Sequence, residues 1–291
     1  MTALDKLREL SQLFSKEGIE DPAKEAAMLL TETLHINTAG LHTSPPVIDE
    51  KVSMQIDSVA ARRVQGEPLQ YIIRHVDFWG LRIHVGKGVL IPRPETELVV
   101  EETIRIMMDA GANRRLTRAE AGSRIDILDL CTGSGCIALS LAKEFPQADV
   151  CGIDKSAAAL TYARRNAVYN SIENVAFIEG DLFRPLSEDA RFDCIVSNPP
   201  YIRTDDIAGL QKEIGYEPLD ALDGGNDGLD FYRKILQEAS RYLKNNGLVI
   251  LEIGFDQADA IRRLASDSGV RDIRFVKDYA GIERIFTARC L

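Results

Sequence analysis

The sequence is short of several features that would place it in specialised classes of protein. No stretch approaches the roughly 18 consecutive apolar residues that a membrane-spanning helix needs. The first residues, Met1 to Leu30, interleave charges with leucines and do not predict a signal peptide. Only four histidines occur, all from His35 to His84, and none has ligand-like spacing to a cysteine or carboxylate cluster. We therefore expect no membrane association and no metal site.

The cysteines and the net charge indicate the cellular compartment and the kinds of partner that the protein can bind. The five cysteines are odd in number, show no paired spacing and fall mostly in apolar segments, which predicts reduced thiols in a cytoplasmic protein. The net charge of −10 and the pI near 5.0 oppose attraction to nucleic acid. We expect no direct binding to DNA or RNA.

The N-terminal region has the periodicity of amphipathic helices. Apolar residues recur at intervals of three and four from Leu4 to about Val64. Asp21-Pro22 is a typical helix start, and a further helix is predicted over Glu50 to Arg63. We interpret residues 1–70 as a small helical domain. The pattern leaves open whether it is a scaffold or oligomer contact, or docks a substrate.

A second region, residues 71–90, has the composition of a linker between domains. Tyr71 to Val85 is rich in aromatic and β-branched residues around Phe78-Trp79-Gly80, which predicts a β-hairpin. Beyond it, Leu98 to Met108 is predicted as a helix and Ala110 to Ser123 as a polar loop.

Alternating strand and helix patterns fill the chain from Ile125 onwards, within a predicted third domain of residues 91–291. This order is typical of an α/β fold with a mostly parallel sheet and helices on both faces. The predicted strands are Ile125–Leu130, Asp149–Ile153, Val175–Ile178, Cys194–Ser197, Leu248–Ile253, Asp272–Val276 and Glu283–Thr287, the last antiparallel. The predicted helices are Cys136–Phe145, Ser156–Asn170 and Tyr232–Leu243.

The loop after the first of these strands indicates a cofactor site. It runs from Asp129 through Thr132 and Gly133 to Gly135 and opens a helix, the place where such sheets bind ligands. Asp154 follows the second strand, about twenty residues later, where a carboxylate binds ribose hydroxyls in nucleotide sites. A nicotinamide enzyme shares this spacing, and an acidic residue there is also common as a solvated helix start.

Three details favour S-adenosylmethionine over a dinucleotide. Ala138 replaces the third glycine of the dinucleotide pattern, although that change is tolerated. Asp129 would repel a pyrophosphate but attract, directly or through water, the cationic amino-acid end of S-adenosylmethionine. Asp181 follows the third strand, where its carboxylate suits an adenine amino group while Leu182 packs on the ring.

The segment Asn198-Pro199-Pro200-Tyr201 directly follows an apolar strand and predicts the catalytic loop. Each proline restricts the residue before it to extended geometry, so the loop is stiff. The Asn198 side-chain oxygen and the Pro199 carbonyl can each accept one hydrogen from a substrate NH₂, and Tyr201 offers a flat face to a planar group. The competing interpretation is an ordinary strand-ending turn.

At these residues the chain closely resembles the HemK/PrmC family of protein glutamine methyltransferases, which modify peptide chain release factors. The resemblance extends from about Gln65 to the C-terminus and is weaker before it. It rests on Phe78-Trp79-Gly80, on Leu90 to Glu97, on Asp129 to Gly135, on Asn198 to Tyr201, on Gly224 to Leu229 and on Leu251-Glu252-Ile253-Gly254.

This resemblance implies a Rossmann-like S-adenosylmethionine-dependent methyltransferase domain with a seven-stranded, mostly parallel sheet, joined by a hairpin to a helical domain. The implied reaction methylates the glutamine side chain of a Gly-Gly-Gln motif and leaves S-adenosylhomocysteine. Asn198 would also lie beside the cofactor, and Asn198, Pro199, Pro200 and Tyr201 would bind the substrate. Arg93 and Glu97 would lie near the substrate mouth unless they only balance a helix start. One departure is Arg74-His75, where the family has a glycine shortly before the aromatic pair.

Three other functions share part of the pattern. A methyltransferase for the adenine amino group could use the same catalytic loop but would need a flipped base and phosphate contacts, which the acidic charge opposes. A glutamine methyltransferase for a ribosomal protein would carry the same loop. A regulatory protein that only binds S-adenosylmethionine has no use for converging acceptors on a stiff loop.

Overall fold

The computed structural model of the protein describes residues 1–112 and 124–290. These residues form two compact units, one of residues 1–75 with 211–216 and one of residues 76–210 with 217–291. The second unit includes undescribed positions, since residues 113–123 and the terminal residue lie outside the described part. The predicted division at residues 70 and 90 stays a prediction.

The first unit is helical, as the periodicity predicts. Its helices are α1 (Ala3–Lys16), α2 (Pro22–Leu34), α3 (Thr38–Thr43), α4 (Glu50–Val64) and α5 (Leu69–Ile73). Thr2 caps α1 through a reciprocal pair of hydrogen bonds with Asp5, and Asp49 caps α4 by accepting from the Val52 N–H. The apolar faces meet in a core whose fully buried members include Leu10, Phe14, Leu29, Leu30 and Ile56.

One ion pair and one hydrogen bond join residues 211–216 to the rest of this first unit. The Arg63 guanidinium, 5% exposed, bonds to Glu25 at 2.6 Å and to Glu213 at 2.9 Å. The Tyr216 hydroxyl donates to the Gln65 carbonyl at 3.3 Å. A segment from the second half of the sequence is therefore part of the helical unit.

The hairpin consists of β1 (His75–Phe78) and β2 (Leu81–His84), so the prediction of strand from Tyr71 was wrong for its first residues, which belong to α5. Trp79 and Gly80 form the turn with φ of +48° and +64°, the left-handed pair that matches the twist of a hairpin. Arg74 also lies in the left-handed region, with φ of +69°, and ends α5 where glycine is usual.

The second unit is built on a sheet of seven strands in the described residues, in the order β5-β4-β3-β6-β7-β9-β8. The strands are β3 (Ile125–Leu130), β4 (Ala148–Asp154), β5 (Val175–Glu179), β6 (Phe192–Ser197), β7 (Leu243–Glu252), β8 (Val270–Lys277) and β9 (Glu283–Cys290). Pairing is parallel except that β9 runs antiparallel to both β7 and β8. The predicted α/β class, strand order along the chain and reversed last strand are confirmed.

The helices of this unit are α6 (Glu97–Ala112), α7 (Cys136–Glu144), α8 (Ala157–Tyr169), α9 (Asp230–Tyr242) and α10 (Ala258–Ser266). The prediction did not include α10, and it ended the first of these helices too early. Helix α6 covers the start of the predicted loop Ala110 to Ser123, and the rest of that loop lies outside the described residues. Strand β7 begins at Leu243, five residues before the predicted start at Leu248.

The order in which strands are added to the sheet reverses between β3 and β6. From β3 the chain adds β4 and β5 on one side, and it then returns to place β6 on the other side of β3. Loops that leave neighbouring strands at such a reversal diverge and open a crevice at the carboxyl ends of the strands. The loops after β3 and β6 carry the residues predicted for the cofactor and for catalysis.

Candidate active site

A cavity of about 420 Å³ lies at the carboxyl ends of β3, β4, β5 and β6. This volume falls in the range of about 300–1,000 Å³ that is typical of small-molecule sites. Of the predicted site residues, the cavity is lined by Thr132, Gly133, Asp154, Asp181, Leu182, Asn198 and Pro200. One crevice therefore brings together residues from four separate loops.

Asp129 lies beneath this cavity and is fully buried. One carboxylate oxygen, Oδ2, accepts from the Thr132 hydroxyl at 2.6 Å and from the Ala138 N–H at 3.1 Å. Within the described residues the other oxygen, Oδ1, has no hydrogen-bond partner. Burial raises the pKa of Asp129 to about 7, and the two hydrogen bonds only partly oppose that rise. The Asp129 carboxyl therefore links two positions of the segment after β3 through Oδ2, while Oδ1 can still accept a hydrogen bond.

Glycines in the loop after β3 leave room for a ligand on one side and for a helix on the other. A Cβ on Gly133 would meet no atom nearer than the Cys131 carbonyl at 3.9 Å, so its backbone faces open space. A Cβ on Gly135 would lie 3.1 Å from the Phe177 ring and 3.2 Å from Ala163. Both residues have positive φ, at +56° and +82°. Gly135 therefore serves close packing, whereas Gly133 exposes backbone to the cavity.

Asp154 ends β4 with both carboxylate oxygens already in use. Oδ2 accepts from the Gly133 N–H and Oδ1 from the Ser156 N–H, each at 2.8 Å. Burial raises the pKa of Asp154, while these two hydrogen bonds oppose the rise. A carboxylate oxygen can accept more than one hydrogen bond, so each oxygen can still bind a ligand hydroxyl. The pairing fixes the carboxylate in the cavity wall.

Asp181 and Leu182 follow β5 and differ in exposure. Leu182 is buried, 6% exposed, and adopts a positive φ of +50° that holds it in the wall of the cavity. Asp181 is half-buried and lies 3.5 Å from Arg184. An apolar side chain beside a carboxylate suits a flat ring that carries an amino group.

The catalytic-loop residues sit directly after β6. The Asn198 Nδ2 group donates to the Thr96 hydroxyl at 3.1 Å. This bond uses a donor of the amide and leaves its oxygen, Oδ1, free to accept, and Asn198 is one of the residues that line the cavity. Pro199, the next residue, is buried and does not line the cavity. The Tyr201 hydroxyl donates to Glu252 Oε1 at 3.3 Å.

The glycine-rich stretch Gly224 to Gly228 supports the catalytic loop from behind. A Cβ on Gly224 would lie 2.7 Å from Tyr201 Cα, and one on Gly228 would lie 2.4 Å from the Tyr201 carbonyl oxygen. The Gln257 Nε2 group donates to the carbonyls of both Tyr201 and Gly228, at 2.9 and 3.1 Å. The two motifs Asn198 to Tyr201 and Gly224 to Gly228, although separated in the sequence, are therefore packed against each other.

Arg93 and Glu97 do not line the cavity, and their predicted role toward substrate stays a prediction. Arg93 pairs with the buried carboxylate of Glu217, which also accepts from the Ile91 N–H at 2.9 Å. Glu97 accepts from the Trp79 N–H at 2.7 Å and so holds the hairpin turn.

Sequence reasoning missed several residues that shape the site. Asn166 of α8, fully buried, accepts from the His84 N–H at 2.7 Å and donates to the Ser134 carbonyl at 2.9 Å, so it joins the hairpin to the cofactor loop. Thr96, Glu252 and Gln257 surround the catalytic loop. Leu251-Glu252-Ile253-Gly254 was recognised only as a motif, because its partners are distant in the chain.

The residues present fit S-adenosylmethionine. The open backbone at Gly133 admits close approach, and the Asp129 carboxyl beneath the loop adds negative charge that favours a cationic group nearby. Asp154 offers acceptors for ribose, and Leu182 offers an apolar surface beside the Asp181 carboxylate. A carboxylate-lined wall of this kind does not suit a pyrophosphate, which disfavours the dinucleotide alternative.

Known proteins resemble the chain over both of its parts. A family profile described as "Methyltransferase domain" matches residues 121–269, and one described as "PrmC N-terminal domain" matches residues 5–73. A solved methyltransferase from Pyrococcus furiosus superposes with a TM-score of 0.51 at 20% identity, over 80% of this chain and 98% of that one. At this identity the likeness establishes the fold.

Curated relatives are much closer in sequence. The release factor glutamine methyltransferase of Thermodesulfovibrio yellowstonii is 47% identical over 98% of this chain and 97% of its own length. The protein of the same name from Geobacter sulfurreducens is 41% identical over 94% and 92%. With both the helical and the catalytic regions matched, the chain belongs to the family of release factor glutamine methyltransferases.

Proposed function

We propose that the protein transfers a methyl group from S-adenosylmethionine to the side-chain nitrogen of the glutamine in the Gly-Gly-Gln motif of peptide chain release factors. The observation that carries this proposal is that Asn198 lines the cavity while its Nδ2 donates one hydrogen bond to Thr96, which leaves the amide oxygen free to accept. An acceptor oxygen on a stiff loop suits a substrate NH₂. The names of the close relatives support a release factor as the substrate.

The proposed work of the catalytic loop is to make a poor nucleophile react. An amide nitrogen shares its lone pair with the carbonyl, so reaction requires that the lone pair be partly localised and aimed. The Asn198 oxygen and the Pro199 carbonyl would each hold one hydrogen of the NH₂, and Tyr201 would border the amide plane. As positive charge grows on the nitrogen these hydrogen bonds strengthen, which stabilises the transition state selectively.

S-adenosylmethionine, the cofactor of this methyltransferase family, supplies an electrophilic methyl group when bound. In the proposed arrangement Asp154 holds the ribose hydroxyls, while Asp181 and Leu182 hold the adenine. Asp129, Thr132, Gly133 and Gly135 form the loop around the amino-acid end. The methylated amide sheds its extra proton after transfer, so no strong general base is needed in this site.

The substrate is tested by incubating the purified protein with labelled donor and release factor. A matched release factor with the motif glutamine changed to alanine is the control. We expect label on the first protein and none on the second. Label on a ribosomal protein, or on adenine in nucleic acid, with none on the release factor would overturn the proposal in favour of those alternatives.

We further propose that the helical unit helps to dock the protein substrate. A small-molecule cavity in the second unit is complete without it, since all the lining residues belong to that unit. Deleting residues 1–70 is expected to spare cofactor binding and to impair methylation of the release factor more than that of a short peptide with the same motif. An equal effect on both substrates would contradict a docking role.

We propose that the protein is cytoplasmic. No helix in the described part of the chain is long and apolar enough to span a membrane. All five cysteines are free thiols, which suits a reducing compartment. Fractionation of cells that express the protein, followed by immunoblotting, tests this location.

A further inference from the structure

Glu217 is a buried carboxylate whose two oxygens bind two positions of one distant segment. The residue is 7% exposed, and its Oε2 accepts from the Ile91 N–H at 2.9 Å. Its Oε1 accepts from the Arg93 guanidinium in an ion pair. Taking a carboxylate out of water is costly unless it is paired and hydrogen-bonded, and here both oxygens are. The pairing joins two stretches of the cavity wall, since Pro92 and Pro218 are both lining residues.

The segment that Glu217 binds leads directly to the catalytic asparagine. The Arg93 carbonyl accepts from the Thr96 N–H at 3.1 Å, in the single helical turn Pro94–Thr96. The Thr96 side-chain oxygen accepts in turn from Asn198 Nδ2 at 3.1 Å. Thr96 is 2% exposed and also lines the cavity. The donor end of the Asn198 amide is therefore held by a turn that starts from the partner of Glu217.

The chain that follows Glu217 returns to the catalytic loop from another side. Residues 218–221 form part of the cavity wall. The Leu222 carbonyl then accepts from the Ile202 N–H at 2.9 Å, and the Gly224 N–H donates to the Ile202 carbonyl at 2.8 Å. Ile202 lies directly after the catalytic loop. The wall segment and the catalytic loop therefore share two backbone hydrogen bonds.

These bonds join three segments, residues 91–96, 198–202 and 217–224, into a closed ring. Asn198 lies at the junction of the first two segments, and Glu217 forms the junction of the third with the first. A closed ring holds the catalytic loop through both of its neighbours. Loss of one junction leaves the loop tied to each neighbour separately, with no fixed distance between the two.

We propose that Glu217 is a positioning residue for methyl transfer: its carboxylate closes this ring and so fixes Asn198 in the cavity wall. The inference rests on the proposed function, because the role of Asn198 toward the substrate comes from there. Glu217 does not line the cavity and acts through Ile91 and Arg93.

Both partners of Glu217 are hydrogen-bond donors, and this decides which side chains can replace it. A carboxylate has two acceptor oxygens, whereas a glutamine amide has one oxygen and one NH₂ group. In Glu217→Gln the oxygen can bind either the Ile91 N–H or the Arg93 guanidinium, and the NH₂ group then faces the other donor. In Arg93→Met alone, a buried carboxylate loses its counter-charge. When both changes are made, the glutamine oxygen can bind Ile91 and its NH₂ group opposes no guanidinium.

The two single variants and their double variant test the proposal in the full-length protein with release factor as substrate. At saturating donor and release factor we expect Glu217→Gln and Arg93→Met each to lower kcat by about 10-fold to 10²-fold, since a misplacement near 1 Å costs up to about 10²-fold. The double variant should be about 10-fold faster than either single variant, a size of coupling that residues in contact can reach. The KM for release factor should change little in all three.

Glu188→Gln is the matched control, because it makes the same change in an exposed pair with Arg241 at 3.0 Å. We expect this variant to have the kcat of wild type. Arg93→Lys keeps the positive charge opposite Glu217 and should retain most of kcat. Circular dichroism and donor binding identify any variant that fails to fold. If Glu217→Gln does not fold, the comparison of Arg93→Met with Arg93→Lys decides, and equal rates for that pair would overturn the proposal.

Three further outcomes would overturn the proposal. A normal kcat for a folded Glu217→Gln would show that the ring does not set the position of Asn198. A double variant as slow as the product of the two single effects would show that Glu217 and Arg93 act independently. A raised KM for release factor in Arg93→Met, with no recovery in the double variant, would assign Arg93 to substrate binding. A wild-type protein that does not methylate release factor would instead refute the proposed function and, with it, this inference.

Discussion

Gly224 and Tyr201 are in such close contact that a side chain on the glycine has no space. A Cβ on Gly224 would lie 2.7 Å from Tyr201 Cα and 2.9 Å from the Pro200 carbonyl oxygen. Both neighbours are backbone atoms of the catalytic loop, which cannot rotate away as a flexible side chain could. The position of the loop after β6 therefore depends on the absence of a side chain two dozen residues later.

We expect Gly224→Ala to displace the catalytic loop and to lower the rate of methyl transfer by about 10-fold to 10²-fold, since a misplacement near 1 Å costs up to about 10²-fold. Gly209→Ala is the control, because a Cβ there meets no atom within 4 Å. Single-turnover rates of the two variants make the comparison. Equal and normal rates would mean that the glycine-rich stretch does not set the loop position.

Asp154→Ala should weaken donor binding by about 1–3 kcal/mol. The carboxylate holds the Gly133 and Ser156 N–H groups at 2.8 Å, so its removal loosens the loop as well as removing the proposed ribose acceptor. Asp149→Ala, at an exposed position of the same strand, is the matched control. Calorimetry with donor and with its demethylated product measures both. Unchanged affinity in Asp154→Ala would remove this residue from the cofactor site.

The buried carboxyl of Asp129 should make stability depend on pH in a predictable direction. Its pKa is about 7 in the fold and 3.8 as the ordinary value, so between these pH values the folded state holds a proton that the unfolded state has lost. Stability conferred by that proton is present at low pH and is lost as the pH rises toward 7. Asp129→Asn does not titrate and escapes this loss.

Without donor, the free energy of unfolding of Asp129→Asn relative to wild type should therefore rise between pH 5 and pH 8, by at most roughly 2.6 kcal/mol. The substitution itself changes the free energy of unfolding by an amount that does not depend on pH, and this amount cancels when the two pH values are compared. Chemical unfolding at each pH measures the difference. A difference that does not vary with pH would mean that Asp129 is ionised throughout.

Arg74 should be a site where a glycine stabilises the protein. It has φ of +69° and donates its N–H to the Gln70 carbonyl at 2.7 Å as the end of α5. Relief of left-handed strain outweighs the extra freedom of glycine in the unfolded chain, and we expect a gain of about 0.5–1 kcal/mol for Arg74→Gly. Arg74→Ala keeps the strain and serves as the control. A urea midpoint for the glycine variant no higher than for the alanine variant would contradict this explanation.

The sheet and the predicted cofactor loops could be read from the sequence because their signals are local. Three apolar strands have a polar residue at or next to the end, namely Asp129, Asp154 and Asn198, which marks the end of the strand in the sequence. Parallel strands then bring their carboxyl ends together. Elements with weak local signals were missed. Helix α10 has small residues such as Ala258 and Ala265 on its buried face, and the start of β7 contains Asn246-Gly247, which is typical of a turn.

The residues that support the site could not be predicted from the sequence for a different reason. The bond between Asn198 and Thr96 joins residues 102 positions apart, and that between Gln257 and Tyr201 joins residues 56 apart. No local pattern encodes such a pair, because each partner is ordinary in its own segment. The same holds for the bond of Arg93 to Glu217, which joins residues 124 positions apart, whereas a place for Arg93 near the substrate mouth is implied only by the family resemblance.

The central claim is that the Asn198 oxygen activates the substrate nitrogen, and Asn198→Ala tests it most directly. By analogy with the loss of one oxyanion-hole donor, the single-turnover rate of methyl transfer to release factor should fall by about 10²–10³-fold, while donor affinity measured on the same folded protein stays near that of wild type. A near-normal rate in a variant that still binds donor would contradict the account.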